Sequence, residues 1–300
     1  MVESLLRLDE ANELLSAWAC ALGERHGIRS MLVKGRALSD HGLRAPRISA
    51  DVDVLVEPAR FDEYCDLVMD AGWDELPSTF ASEHFTLHSR SFHRDGWPNS
   101  FDVHSYFPGF LRDPGEVFDA LWARRVLLDF GDRACPAPDR VASLFVLTLH
   151  SLRGTDRQAR HAEELAAATR IELTPEERAD AAGLAVATGA AAALRDVLPA
   201  WGVDVAVDEA EFGTPAYLEW HRKVTTARGY GAAWLALLAK APLREKPRVA
   251  ARAVWPTRAD LLVGHPEIED RPWPRFRTRV ARLARGIASL PRALAALRRR

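Results

Sequence analysis

Three carboxylates stand where carboxylates are costly. Asp51 and Asp53 lie in Arg47-Ile48-Ser49-Ala50-Asp51-Val52-Asp53-Val54-Leu55-Val56, and Asp102 lies in Phe101-Asp102-Val103-His104. Both stretches read as apolar strands, and a charge in such a run needs compensation. Side chains two apart on a strand share a face, so Asp51 and Asp53 project together, and Asp102 can join them from a neighbouring strand. Such a cluster repels itself unless a cation sits within it. Carboxylate oxygens suit Mg²⁺, with Mn²⁺ as its substitute, and Mg²⁺ commonly completes its shell with substrate phosphates. The chemistry this points to is phosphoryl or nucleotidyl transfer.

Nucleotidyl transfer needs an acidic metal platform, a hold on the triphosphate and a group that deprotonates the acceptor. Asp51, Asp53 and Asp102 are the candidate metal ligands and catalytic residues. Asp102 either ligates the metal on the acceptor side or takes the acceptor's proton. The turn Val33-Lys34-Gly35-Arg36 opens a short helix, where backbone N–H groups and a positive side chain favour phosphate. Gly35 allows close backbone approach, and Arg47 offers a guanidinium fork as a further phosphate contact. Ser49 lines or caps the site. His104 shares a face with Asp102, from which it can orient a phosphate or the acceptor, or serve as a hydrogen-bonded structural histidine.

The order Lys-Gly, then Arg-x-Ser-x-Asp-x-Asp-apolar-apolar-Val, then apolar-Asp-x-His resembles a bacterial nucleotidyltransferase family within the DNA polymerase β-like superfamily. The resemblance runs from about residue 30 to 107. It implies an α+β minimal nucleotidyltransferase fold and Mg²⁺-dependent transfer from a nucleoside triphosphate. Asp51 and Asp53 match the metal pair, and Asp102 matches the third carboxylate. Lys34 and Gly35 stand where many members of the superfamily carry Gly-Ser, so the chain departs from the wider pattern at the phosphate turn.

The elements that must position these groups are legible in outline. Leu5, Leu8, Leu15, Trp18 and Leu22 recur at helical spacing and predict a first helix that stops near Gly23 or Gly27. A strand at Met31–Val33, a short helix from Arg36 to His41, a strand at Asp51–Val56 and a helix from Pro58 to Gly72 follow. Strands at Glu83–Ser91 and Phe101–Phe107, joined through Arg94–Asn99, predict an antiparallel pair. A helix at Glu116–Arg125 and a last strand at Val126–Phe130 complete the expected mixed sheet. Beyond Pro138 the pattern is helical: 141–152, 175–188, 190–198, 214–226, 232–243 and 278–297. The boundary therefore falls near 136, with a catalytic domain over 1–136 and a helical substrate or partner domain over 137–300.

Composition narrows the classes. The chain of 300 residues is 48% hydrophobic and 27% charged, enough for a real core. Cys20, Cys65 and Cys135 form no CxxC, so neither a disulfide framework nor a zinc site is expected, and a cytoplasmic location fits. No window is long and apolar enough for a membrane span, and the first residues lack a signal peptide's pattern. The net charge is −2, yet residues 271–300 hold ten arginines and no acids, which leaves −12 for the first 270 residues. That tail reads as a solvated helix face or as a surface for phosphates or an acidic partner.

Two other classes compete with a phosphorus-group transferase. One is a glycosyltransferase that uses Asp51-Val52-Asp53 on a metal-bound sugar nucleotide; that class builds a larger doubly wound domain before its acidic motif. The other is a catalytically silent nucleotide-binding or partner-docking protein. A nucleoside triphosphate is the expected donor. A small-molecule or peptide acceptor is preferred to an RNA end, since no RNA-binding module is recognisable and the first 270 residues are acidic. His84 and His88 read as structural or substrate-lining. His150 reads as a core or interface residue, and the tryptophans Trp201, Trp220, Trp234 and Trp255 read as core.

Overall fold

The computed structural model describes residues 6–77, 80, 88–154, 159–226, 234–235, 237–239, 241–264 and 268–298. The chain divides into two compact units. The first holds Met1–Leu76 and His88–Trp220, and the second holds Pro77–Leu87 and His221–Arg300. This partition differs from a boundary at 136, because the first unit continues through several helices beyond the sheet.

In the first unit, helix α1 (Leu8–His26) ends on Gly27, whose φ of 63° supplies the left-handed cap. Strand β1 (Ser30–Val33) turns into α2 (Gly35–Asp40), and after a loop comes β2 (Asp51–Val56). Helix α3 (Phe61–Asp70) and strands β3 (Asp74–Glu75), β4 (Ser89–His93) and β5 (Ser100–His104) follow. The sheet order is β1-β2-β5-β4-β3. Only β2 and β5 run parallel; β1 with β2, β4 with β5 and β3 with β4 are antiparallel. The result is an α+β unit with a mixed five-stranded sheet. The expected strand over 83–91 falls partly on residues 83–87, outside the described residues, and β4 begins at Ser89.

Period-two alternation divides the two faces of this sheet. Val52, Val54, Val56, Phe101 and Val103 join a core with Leu15 and Ala19 of α1 and Tyr64, Cys65 and Val68 of α3. The Tyr64 hydroxyl donates to the Ala19 carbonyl at 2.8 Å and ties α3 to α1. The opposite face carries Asp51, Asp53, Asp102 and His104.

After α4 (Pro114–Ala123), strands β6 (Arg125–Phe130) and β7 (Arg133–Pro138) form a separate two-stranded antiparallel sheet. The expected last strand therefore exists, but it pairs with β7 in a hairpin rather than completing the main sheet. Gly131 and Asp132 both have positive φ, 56° and 61°, as a tight two-residue hairpin turn requires.

Helix α5 (Arg140–Leu152) is capped by Asp139, whose carboxylate accepts from the Ala142 N–H at 2.8 Å. It is buried along nearly its whole length. Helices α6 (Ala159–Ala168), α7 (Pro175–Thr188), α8 (Ala190–Ala193) and α9 (Pro215–Thr226) follow, so the helix expected over 190–198 is cut short at Ala193. The three cysteines are free and buried.

The second unit contains α10 (Lys246–Val254), α11 (Arg258–Gly264) and α12 (Pro272–Arg298). The helix expected over 232–243 lies partly outside the described residues. Asp260 organises this unit: its carboxylate accepts from Arg252 Nη1 at 2.7 Å, from Thr257 Oγ1 at 2.7 Å and from the Phe80 N–H at 3.0 Å. No described helix is long and apolar enough to cross a membrane.

Candidate active site

Strand pairing makes the site. Residue 53 of β2 lies opposite residue 102 of β5 in the parallel register, and opposite Val33 in the antiparallel register with β1. The register therefore sets Asp102 beside Asp53 on one side, and on the other brings in the end of β1, from which Lys34 follows. Ligand atoms of Asp53, Asp102 and His104 all lie within 4.8 Å of one another. Asp51, two residues upstream on the same face, accepts a hydrogen bond from Ser49 Oγ at 2.5 Å.

Asp53 is 5% exposed. Lys34 Nζ lies 2.5 Å from its Oδ1, and His104 Nε2 lies 2.8 Å from the same oxygen. Burial works to raise the Asp53 pKa, but the Lys34 ammonium and the His104 ring overcome it and hold the carboxyl well below the usual range. Asp102 is shifted the other way: burial raises its pKa, and the neighbouring Asp53 charge raises it further. Two adjacent carboxylates thus differ in basicity, the arrangement expected where one group stays ionised and the other exchanges a proton.

Lys34 has φ 66° and ψ −141°, and Gly35 follows with φ 50°. That conformation at Lys34 is one almost reserved for glycine, and a non-glycine residue there costs about 1–3 kcal/mol. The turn is fixed from outside by Arg44, whose Nη2 donates to the Gly35 carbonyl at 2.6 Å. Burial first, and then the charge of Arg47, pushes the Arg44 guanidinium down to about 10.

The remaining candidates divide. A cavity of about 430 Å³ is lined by Asn12, Lys34, Gly35, Arg47, Asp51 and Asp53 among others. Its size suits a small-molecule site. Ser49 and Arg36 also face it. Arg36, however, is engaged by both oxygens of Glu13 at 2.8 Å and by Asp40 at 3.2 Å. Arg47 pairs with Glu164 of α6 at 2.6 Å. Of the expected phosphate cations, Lys34 thus stands on the carboxylates themselves, while Arg36 and Arg47 are held by carboxylates of the helices.

Several site residues escaped the sequence reading. Arg153, just past α5, places Nη1 3.3 Å from His88 Nε2 and Nη2 3.4 Å from His150 Nδ1. Its guanidinium lies 5.1 Å from the centre of the Phe107 ring. Burial pushes it down to about 10, against the attraction of Asp53. His88 stacks on His104 with ring centres 5.8 Å apart. The histidines and Arg153 thus back the carboxylates with a polar layer; the only hint in sequence is His150 and Arg153, three apart, ending an otherwise apolar helix. Asn12 was equally hidden. It donates to the Ser49 carbonyl at 2.8 Å and accepts from the buried Asn99 at 2.8 Å, which pins the loop before β2.

The donor set, two carboxylates and an imidazole, could hold a metal ion. Asp53 and Asp102 supply oxygen ligands at close quarters, and His104 Nδ1 is buried without a hydrogen-bond partner among the described residues.

No family model matches the chain, and no curated protein matches it. Among solved structures it is similar to the lincosamide antibiotic adenylyltransferase LnuA with lincomycin bound, at 17% identity over 52% of this chain and 94% of that one, with a TM-score of 0.35. It is similar to the antibiotic-resistance factor ANT(2'')-Ia at 14% identity, 64% and 96% coverage and a TM-score of 0.42. A third is an antigenic nucleotidyltransferase-like protein from Paracoccidioides brasiliensis, at 12% identity, 69% and 98% coverage and a TM-score of 0.39.

Proposed function

We propose that the chain is a metal-dependent nucleotidyltransferase of the polymerase β-like kind, moving a nucleotidyl group from a nucleoside triphosphate to a hydroxyl-bearing small molecule or peptide. The observation that carries the reading is the pairing of Asp53 with Asp102 across parallel strands, with His104 within 4.8 Å. Asp51, Asp53 and Asp102 would hold Mg²⁺ or Mn²⁺. When bound, the metal would supply Lewis-acid charge that offsets the negative charge developing on the leaving pyrophosphate.

The chain's own residues do the rest. The acceptor oxygen attacks the α-phosphorus, a new O–P bond forms, and the bond to the bridging oxygen breaks so that pyrophosphate departs. Asp102, set beside Asp53 by the strand register, takes the acceptor's proton. Lys34 and the N–H groups of the Lys34-Gly35 turn face the triphosphate, and Arg47 meets it after leaving Glu164. The order of the sheet argues against the glycosyltransferase reading, since it holds one parallel pair and no doubly wound array.

One observation favours a silent nucleotide-binding protein instead: Lys34 already neutralises Asp53 at 2.5 Å. Pyrophosphate release separates the two readings. Each of the four common nucleoside triphosphates is offered with Mg²⁺ and a panel of hydroxyl acceptors, to the wild type and to Asp51→Asn/Asp53→Asn. Turnover that vanishes in the double variant supports transfer; nucleotide binding with no turnover across the panel supports the silent reading.

A further inference from the structure

The second unit carries a surface that nucleotidyl transfer does not use. Helix α12 has apolar residues at 273, 276, 280, 283, 287, 290, 294 and 297, an unbroken alternation of three and four. That spacing lays them along one stripe. Four of its five described side chains face outward: Trp273 is 66% exposed, Phe276 46%, Val280 43% and Ile287 58%, while Leu283 is half-buried. At its start the stripe widens into an aromatic cluster. Trp273 stacks on Phe276 with ring centres 5.9 Å apart, and Phe276 meets Trp255, itself 44% exposed, at 6.2 Å.

The rest of the helix is cationic. Between 272 and 298 it carries arginines at 275, 277, 279, 282, 285, 292 and 298 and no acid. An exposed apolar stripe on a helix whose charged residues are all arginines needs a partner that is apolar within and anionic at its rim. A second copy of α12 is the wrong occupant, because Arg277 and Arg279 flank the stripe and would meet their own kind across the seam. A nucleic acid would answer the arginines and stack bases on Trp273 and Phe276, but it would leave Val280 and Ile287 in water. An anionic lipid surface answers both: arginines reach the headgroups while aromatic and aliphatic side chains enter the acyl boundary. At 1.5 Å per residue the helix is about 40 Å long, enough to lie in the interface over its length.

We propose that α12 is an interfacial helix by which the protein docks on anionic membranes, with Trp273, Phe276, Val280 and Ile287 inserted and Arg277, Arg282 and Arg285 on the phosphates.

Flotation of the full chain with vesicles tests this. Vesicles of equimolar phosphatidylcholine and phosphatidylglycerol should carry the protein upward, and pure phosphatidylcholine vesicles should not. Two variants alter exposed or half-buried surface groups, and circular dichroism verifies that the fold is intact. Trp273→Ser/Phe276→Ser keeps every charge and should lower partition by roughly tenfold or more. Arg277→Gln/Arg282→Gln/Arg285→Gln keeps the stripe and should lower it by roughly a hundredfold. No flotation with anionic vesicles overturns the proposal, as does flotation that survives the serine pair. Capture of RNA or an acidic protein by a chain that ignores these vesicles overturns it too, as does self-association through α12 in their place.

Discussion

Lys34 Nζ and Asp53 Oδ1 are 2.5 Å apart, with side chains 13% and 3% exposed. The lysine that the sequence offers to a phosphate thus serves, before any ligand arrives, as counter-ion to the central carboxylate. It does so from a backbone conformation that only glycine adopts freely. Removing the ammonium leaves Asp53 with His104 alone, so Lys34→Ala should lose about 3–5 kcal/mol of stability. Lys34→Gly loses the same pair but relaxes the backbone, and should be about 1 kcal/mol more stable than the alanine variant. Both should lose nucleotide affinity. Denaturant titration of the two variants side by side checks the difference; an alanine variant as stable as the glycine variant contradicts a strained turn.

Asp102 and Asp53 differ in what their removal does. Asp102→Asn deletes the proposed proton acceptor and also a half-buried carboxylate that repels Asp53. Turnover should fall by roughly two to four orders of magnitude, while thermal stability stays level or rises. Asp53→Asn should lower both, since it leaves Lys34 and His104 without their shared partner. A stable, fully active Asp102→Asn protein would remove Asp102 from the mechanism.

Arg47 pairs with Glu164, 2.6 Å away, and that carboxylate competes with a phosphate for the guanidinium. Glu164→Gln should therefore tighten nucleotide binding a few-fold, on the order of 1 kcal/mol, and Arg47→Ala should weaken it whether or not Glu164 is present. Equal affinity in wild type and Glu164→Gln would show that Arg47 serves the fold and not the ligand.

The histidine layer sets a pH dependence. Burial first, then the positive charges of Lys34 and Arg153, pushes the His150 ring from 6.5 down to about 2. His161, 4.9 Å away between ring centres, shifts the same way through burial. Below pH 6.5 the unfolded chain binds protons that the folded chain refuses, so stability is full above 6.5 and is lost as pH falls towards 2. The slope from one such histidine is at most about 1.4 kcal/mol per pH unit. Asp53, with its depressed pKa, adds a loss of the same sign only below 3.8. Chemical denaturation between pH 7 and 4 should show the slope, and His150→Gln should flatten it.

What could be read beforehand follows from range of interaction. Period-two alternation in Asp51–Val56 and Ser100–His104 is local, so the carboxylate face was legible before any pairing was known. The expected strand at 126–130 was right, while its partner β7 was hidden by Pro136 and Pro138, which belong to an edge strand. Helix α6 carries the polar run Arg160-His161-Ala162-Glu163-Glu164, too short of apolar residues to show a stripe. Arg153 and His150 are near Asp53 only because α5 ends against that face of the sheet, a tertiary fact that no spacing encodes. The same holds for Lys34: its type invited a phosphate, and only the β1–β2 register reveals that it first meets Asp53.

The central claim is that Asp51, Asp53 and Asp102 build a metal-dependent nucleotide site, and calorimetric titration of a nucleoside triphosphate with and without Mg²⁺ tests it most directly. The account predicts binding to the wild type that needs the metal, and the loss of that metal dependence in Asp51→Asn/Asp53→Asn. Binding to no nucleotide with the metal present, or equal binding to wild type and double variant, would contradict it.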